Sequence, residues 1–245
     1  MLDMLPAGSA LAVCFAAAFL GTMLQRLAGQ GFGMIAAPVV ALVAPEFLPA
    51  AILLVGVAVG LSSAAFDIRA VHLRDLPSGF AGRSLGAVIA ALIAAQLAGE
   101  TEVLAAIVAL VVYLGIVLSL IGIRVEVASF PLFLAGTTAG IMGTLTAIGA
   151  PPMALLYQHV EQKRSAATQN TFFFFGMVVS LVALWSQGLV AMRHLALAAA
   201  LLPAVPLGIA ASQPLARRVA RRSIRPYALA LAGCAASILL FKTLV

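Results

Sequence analysis

Charge is what this chain has least of: of 245 residues, 14 are Lys or Arg and 8 are Asp or Glu. A soluble domain carries charge on about a quarter of its residues, whereas here the share is 9% and 64% are hydrophobic. No soluble fold of this length has an interior for that apolar excess, so the excess has to face lipid. Cysteine is nearly absent too. Cys14 and Cys234 each sit inside an apolar run, without metal-type spacing or the pattern of a structural disulfide. Histidine is limited to His72, His159 and His194, all at expected connectors. There is no zinc-protease histidine motif, no nucleophile elbow, no nucleotide-binding motif and no pair of carboxylates within an apolar run. These absences remove the footing for an enzyme, and no cofactor or metal is implied. Residues Met1 to Pro6 lack a basic stretch, so the first apolar run is expected to stay as a helix rather than be cleaved as a signal peptide.

What the chain has instead is long apolar runs. A helix needs about 20 apolar residues to cross the hydrocarbon core. Runs at 9–28, 47–66, 76–98, 103–122, 130–147, 166–187, 195–214 and 226–245 predict eight full spans. Two shorter pieces, 31–44 and 150–159, each follow a Gly-rich break and read as the return arm of a hairpin that bends within the membrane. The net charge of +6 lies in connectors between runs, which is the pattern of membrane topology rather than of nucleic-acid binding. With each short piece counted as a crossing, ten of the 14 basic residues fall on one side: Arg69, Arg74, Arg124, Lys163, Arg164, Arg217, Arg218, Arg221, Arg222 and Arg225. Arg83 lies one or two turns inside a helix from that side, and only Arg193 and Lys242 fall opposite. That side is read as cytoplasmic, with both termini outside.

The two halves resemble each other. Phe66, Val71, Leu73, Arg74 and Leu76 align with Trp185, Val190, Met192, Arg193 and Leu195 at an offset of 119. At nearly the same offset, the break at Gly29–Gly33 meets the one at Ile148–Pro152. The predicted fold is all-α, a polytopic membrane bundle of two repeats with about five helices each, 1–124 and 125–245, in one transmembrane domain. Five crossings per half is an odd number, so the second copy is inverted, a recurring plan of secondary transporters.

The chemistry is expected at the two breaks. Glycine lets the chain turn sharply, and proline at a helix start lacks only an N–H that would be orphaned anyway. Each break therefore ends one half-helix and starts another near mid-membrane. Helix starts expose unpaired N–H groups and about half a positive charge, so two of them converging would hold an anion. Gly31, Gly33, Gly149 and Ala150 are the expected amide donors. Arg26, Gln30, Thr144 and Thr146 are expected to add side-chain contacts, with Gln169 and Asn170 as second choices. Arg26 is deep in an apolar run with no evident acidic partner, so a substrate anion is its expected counter-charge. The alternatives are that Arg26 snorkels to an interface, that the two threonines bond an i−4 carbonyl, and that Gln169, Asn170 and Thr171 merely begin a helix.

Other features have structural readings. Gly56 with Gly60, Gly82 with Gly86, and Gly136 with Gly140 are small-residue pairs for close helix packing. Asp67 reads as an interfacial ion pair beside Arg69, Phe172 to Phe175 as lipid-facing or core filler, and Trp185 as an interfacial anchor. A redox carrier would want cysteines at equivalent repeat positions, but Cys14 plus 119 is Phe133, not Cys234.

On Gly29, Gln30, Gly31, Phe32 and Gly33 with Pro38, and on Ile148, Gly149, Ala150 and Pro151, the chain resembles the TauE/SafE family of bacterial membrane permeases. Phe32 and Ala150 stand where that family often has glycine. The resemblance covers essentially the whole chain and implies a bacterial inner-membrane transporter of a small anion, sulfite or an organosulfonate. The expected function is transport by alternating access, with the bilayer and the anion as partners and no nucleic acid. A homodimer is compatible with the sequence, which carries no signal for it. The alternative is a membrane redox or assembly factor using Cys14 and Cys234.

Overall fold

The computed structural model describes residues 5–97, 99–121, 125–216, 233–234, 237–238 and 241. Arg124, the arginines from Arg217 to Arg225, the expected span 226–245 and the boundary after 124 lie outside the described residues. All regular structure among the described residues is helical. The elements are α1 (Gly8–Ala28), α2 (Phe32–Val43), α3 (Ala50–Phe66), α4 (Leu76–Gln96) and α5 (Thr101–Ile121), followed by α6 (Ser129–Thr146), α7 (Ala150–Tyr157), α8 (Gln162–Ser186), α9 (Met192–Leu201) and α10 (Ala204–Ala216). Among the described residues four stretches are long and apolar enough to cross a membrane, Gly8–Ala28, Leu73–Gln96, Gln162–Ser186 and Met192–Leu215, and α2 and α3 are shorter apolar helices.

Both breaks form where the sequence places them, by matching local devices. Gly29 ends α1 in the left-handed conformation (φ 77°), its N–H donating to the Gln25 carbonyl. Ala147 ends α6 in the same conformation (φ 61°), its N–H donating to the Gly143 carbonyl. For an alanine that conformation costs about 1–2 kcal/mol. After two further residues each chain starts a new helix, α2 at Phe32 and α7 at Ala150, with Pro151 and Pro152 in its first turn.

Packing follows the small residues. A Cβ on Gly82 would strike the Phe133 carbonyl, and one on Gly140 would lie 2.8 Å from the Gly86 Cα. Gly79 likewise meets Gly136, so α4 and α6 run side by side in the same direction. Gly60 packs on Phe174 and Gly56 on Met177, which seats α3 on α8. Large apolar side chains such as Val88, Leu92, Leu110 and Val182 are left exposed on the outside, as a lipid-facing surface requires. Phe172 and Phe173 are buried core, and Trp185 is exposed at the end of α8.

The ends of the bundle can be told apart. α8 begins beside Asp75, at the start of α4: Arg164 lies 3.8 Å from the Asp75 carboxylate, and the His72 N–H donates to Thr168 Oγ1. Its 25 residues then carry it about 37 Å to the connector before α9. Tyr157, at the end of α7, donates to Asp75 at 2.7 Å. By contrast, the Glu46 carbonyl, just past α2, lies 3.2 Å from Nε2 of His194 in the first turn of α9. So α2 and α7 run to opposite ends.

Three elements differ from the sequence reading by more than two residues. α8 starts a turn early, at Gln162, because the Glu161 carboxylate accepts the Lys163 and Arg164 amides at 3.1 and 3.2 Å. The expected helix 195–214 is two segments, α9 and α10, divided at Leu202 and Pro203, where proline cannot donate to the preceding turn. α3 starts at Ala50 because Pro45 to Phe47 forms a separate short turn and Pro49 follows it.

Candidate functional site

The two breaks touch. A Cβ on Gly33 would collide with the Ala147 carbonyl oxygen and lie 3.5 Å from the Ile148 Cα. Glycine is required there by close approach, and α2 and α7 start from this one place in the interior.

Side chains close each break from within. The Gln25 Oε1 accepts the Phe32 N–H at 3.1 Å, while its Nε2 donates to the Gly29 carbonyl at 3.3 Å and to Asn170 Oδ1 at 2.8 Å. Gln25 and Asn170 are both 2% exposed. Gln25 thus fixes the first turn of α2 and ties it to α8. In the second break Thr146 donates to the Met142 carbonyl at 2.7 Å and accepts the Ile148 N–H at 3.1 Å. The amides of Gly33, Met34, Gly149 and Ala150 make no hydrogen bond to the described residues. Four unpaired donors at two touching helix starts form an electropositive patch in a low-dielectric interior.

The expected site residues are placed as follows. Gly31, Gly33, Gly149 and Ala150 lie at the touching breaks, Gly31 with φ 127°. Gln30 lies between Gly29 and Gly31, and its buried Oε1 has no partner among the described residues. Thr146 is engaged by its own break. Thr144 bonds Ser180 Oγ at 2.6 Å. Asn170 is joined to the first break through Gln25. Gln169 donates to Ser165 at 2.9 Å, and its Oε1 lacks a partner among the described residues.

Arg26 departs from expectation. Its guanidinium lies 3.3 Å from Asp67 and its centre 4.6 Å from the Phe66 ring centroid. Arg26 has an acidic partner after all. Asp67 lies 41 residues away in sequence but is adjacent in space because the end of α3 comes to the end of α1. The argument that Arg26 awaits a substrate anion therefore falls, and Asp67 pairs with Arg26 instead of Arg69. Cys14 is buried, Cys234 is exposed, and both are free thiols. An outer groove of about 510 Å³ is lined by Leu54, Val182, Trp185 and Met192 among others, and brings no cationic side chain to an anion.

A family model described as "Sulfite exporter TauE/SafE" matches residues 14–239. The chain belongs to the TauE/SafE sulfite exporter family. No curated protein and no solved structure matches it. Membership makes this helical bundle a multi-pass membrane protein of a transporter family, in agreement with the resemblance read from the two breaks.

The sequence reading missed two residues of this TauE/SafE chain's interior. Gln25 was passed over beside the more conspicuous Arg26, although both are polar residues in the same apolar run. Arg83 was counted as a topology charge. It is 2% exposed, and its Nη2 donates to Ser180 Oγ at 3.0 Å. The signal that singled out Arg26, a cation inside an apolar helix, applies equally to Arg83.

Proposed function

We propose that the chain is a secondary-type exporter of a small oxyanion, with sulfite as the substrate and organosulfonates as the alternative class. The anion would pass the touching starts of α2 and α7 by alternating access. One observation carries this: Gly33 rests on Ala147, so the two helix starts whose Gly33, Met34, Gly149 and Ala150 amides have no partner among the described residues touch each other. Family membership supports sulfite, and the opposite courses of α2 and α7 support two inverted halves, each contributing one hairpin. In this reading the Asp75 end, with Arg69, Arg74, Lys163 and Arg164, faces the cytoplasm of a bacterial inner membrane, and the termini lie outside.

Proteoliposome flux tests it. Labelled sulfite should move saturably, with competition from unlabelled sulfite or an organosulfonate and not from a cation such as choline. Flux no greater than in empty liposomes, for both anion classes and in both orientations, would refute the reading.

A further inference from the structure

Arg83 is enclosed more completely than any other cation among the described residues. It lies two turns inside α4, and its guanidinium fills a space left by glycines from three elements. A Cβ on Gly143 (α6) would lie 2.5 Å from Nη1, one on Gly149 (before α7) 3.0 Å from Nη1, and one on Gly176 (α8) would collide with Nε. Nη1 donates to the Ala139 carbonyl and Nη2 to Ser180, whose hydroxyl also bonds Thr144. Nε has no partner. Of its five N–H donors, two have partners among the described residues, and no carboxylate among them pairs with the charge. A buried cation without a counter-charge costs several kcal/mol, more than one carbonyl and one hydroxyl return.

We infer that Arg83 is the anion-binding cation, gripping the transported oxyanion together with the Gly149 and Ala150 amides at the start of α7. This rests on the anion-transport reading and assigns its charge. Arg26 already has Asp67, so among the described residues Arg83 is the fully buried cation without a carboxylate partner. Its planar fork suits a ligand with at least two oxygens on one centre, as in sulfite or a sulfonate. The three glycines are small because the guanidinium needs the volume. The second break thus holds a full charge, while the first offers only amides and carboxamides.

The test uses the full chain, purified and reconstituted, with sodium sulfite as the probe. Wild type should show a sulfite-dependent rise in melting temperature and saturable flux. Arg83→Gln should lose the thermal shift and at least a hundredfold of flux, Arg83→Lys should raise KM about tenfold, and Arg26→Gln should keep the thermal shift. If Arg83→Gln does not fold, Arg83→Lys and Gly149→Ala decide, since each perturbs the grip while keeping the buried charge. An unchanged sulfite KM in both, or an unchanged shift in folded Arg83→Gln, overturns the assignment and leaves the transport reading standing. Absence of sulfite and sulfonate flux in wild type overturns both.

Discussion

The Gln25 carboxamide makes three contacts, and each uses a particular atom: the oxygen holds the Phe32 amide, and the nitrogen holds both Gly29 and Asn170. Leucine in its place leaves buried donors and acceptors unpaired, at about 1–3 kcal/mol. Gln25→Leu and Asn170→Leu should therefore be non-additive. Unfolding of the two single variants and the double should give a coupling of about 0.6–2 kcal/mol; additive losses would mean the 2.8 Å contact carries no energy. At this scale the sequence was only partly legible. The polar residues at the breaks stood out because they interrupt apolar runs. Which cation pairs with which acid did not, because Arg26 meets Asp67 through tertiary packing that no spacing reveals.

Elements were easier to read. Gly29 and Pro151 mark their breaks because a left-handed residue and a missing N–H are local requirements. Ala147 shows the limit: it adopts φ 61° without being glycine, so the exact turn of the second break was not encoded in residue type. The glycine pairs were legible as packing sites, and the structure supplies their partners across α4 and α6. Gly86→Val would drive a branched side chain into the Thr137 carbonyl and the Gly140 Cα. Overpacking of this kind costs about 1–3 kcal/mol or more. Detergent-titrated unfolding followed by circular dichroism should show that loss, and an unchanged midpoint would mean the seam opens freely. The division of α9 from α10 was missed because Pro203 lies within an unbroken apolar run.

For the whole molecule, neighbours recur under exchange of the two series. α10 lies along α1 as α6 lies along α4, α3 contacts α9 as α8 contacts α4, and α3 with α8 pairs across the exchange. The 119-residue offset led to the expectation that the two breaks converge, and Gly33 does meet Ala147; which residues would touch was not visible, since they lie over 110 positions apart. The proposed inversion makes a prediction for matched positions. Leu73 and Met192 are equivalent at that offset and are 72% and 68% exposed. In a background with Cys14→Ser and Cys234→Ser, a membrane-impermeant maleimide should label Met192→Cys in intact cells and Leu73→Cys only after permeabilisation. Labelling of both from one face would contradict inverted halves.

The claim that two helix starts meet to pass an anion is tested most directly by sulfite flux through Gly33→Val, with Gly8→Val, where a Cβ meets nothing within 4 Å, as control. The account predicts that the control transports like wild type. Gly33→Val, which wedges a side chain against the Ala147 carbonyl, should lower the unfolding midpoint and, in the protein that folds, lose at least tenfold of the flux. Wild-type flux through folded Gly33→Val would contradict it.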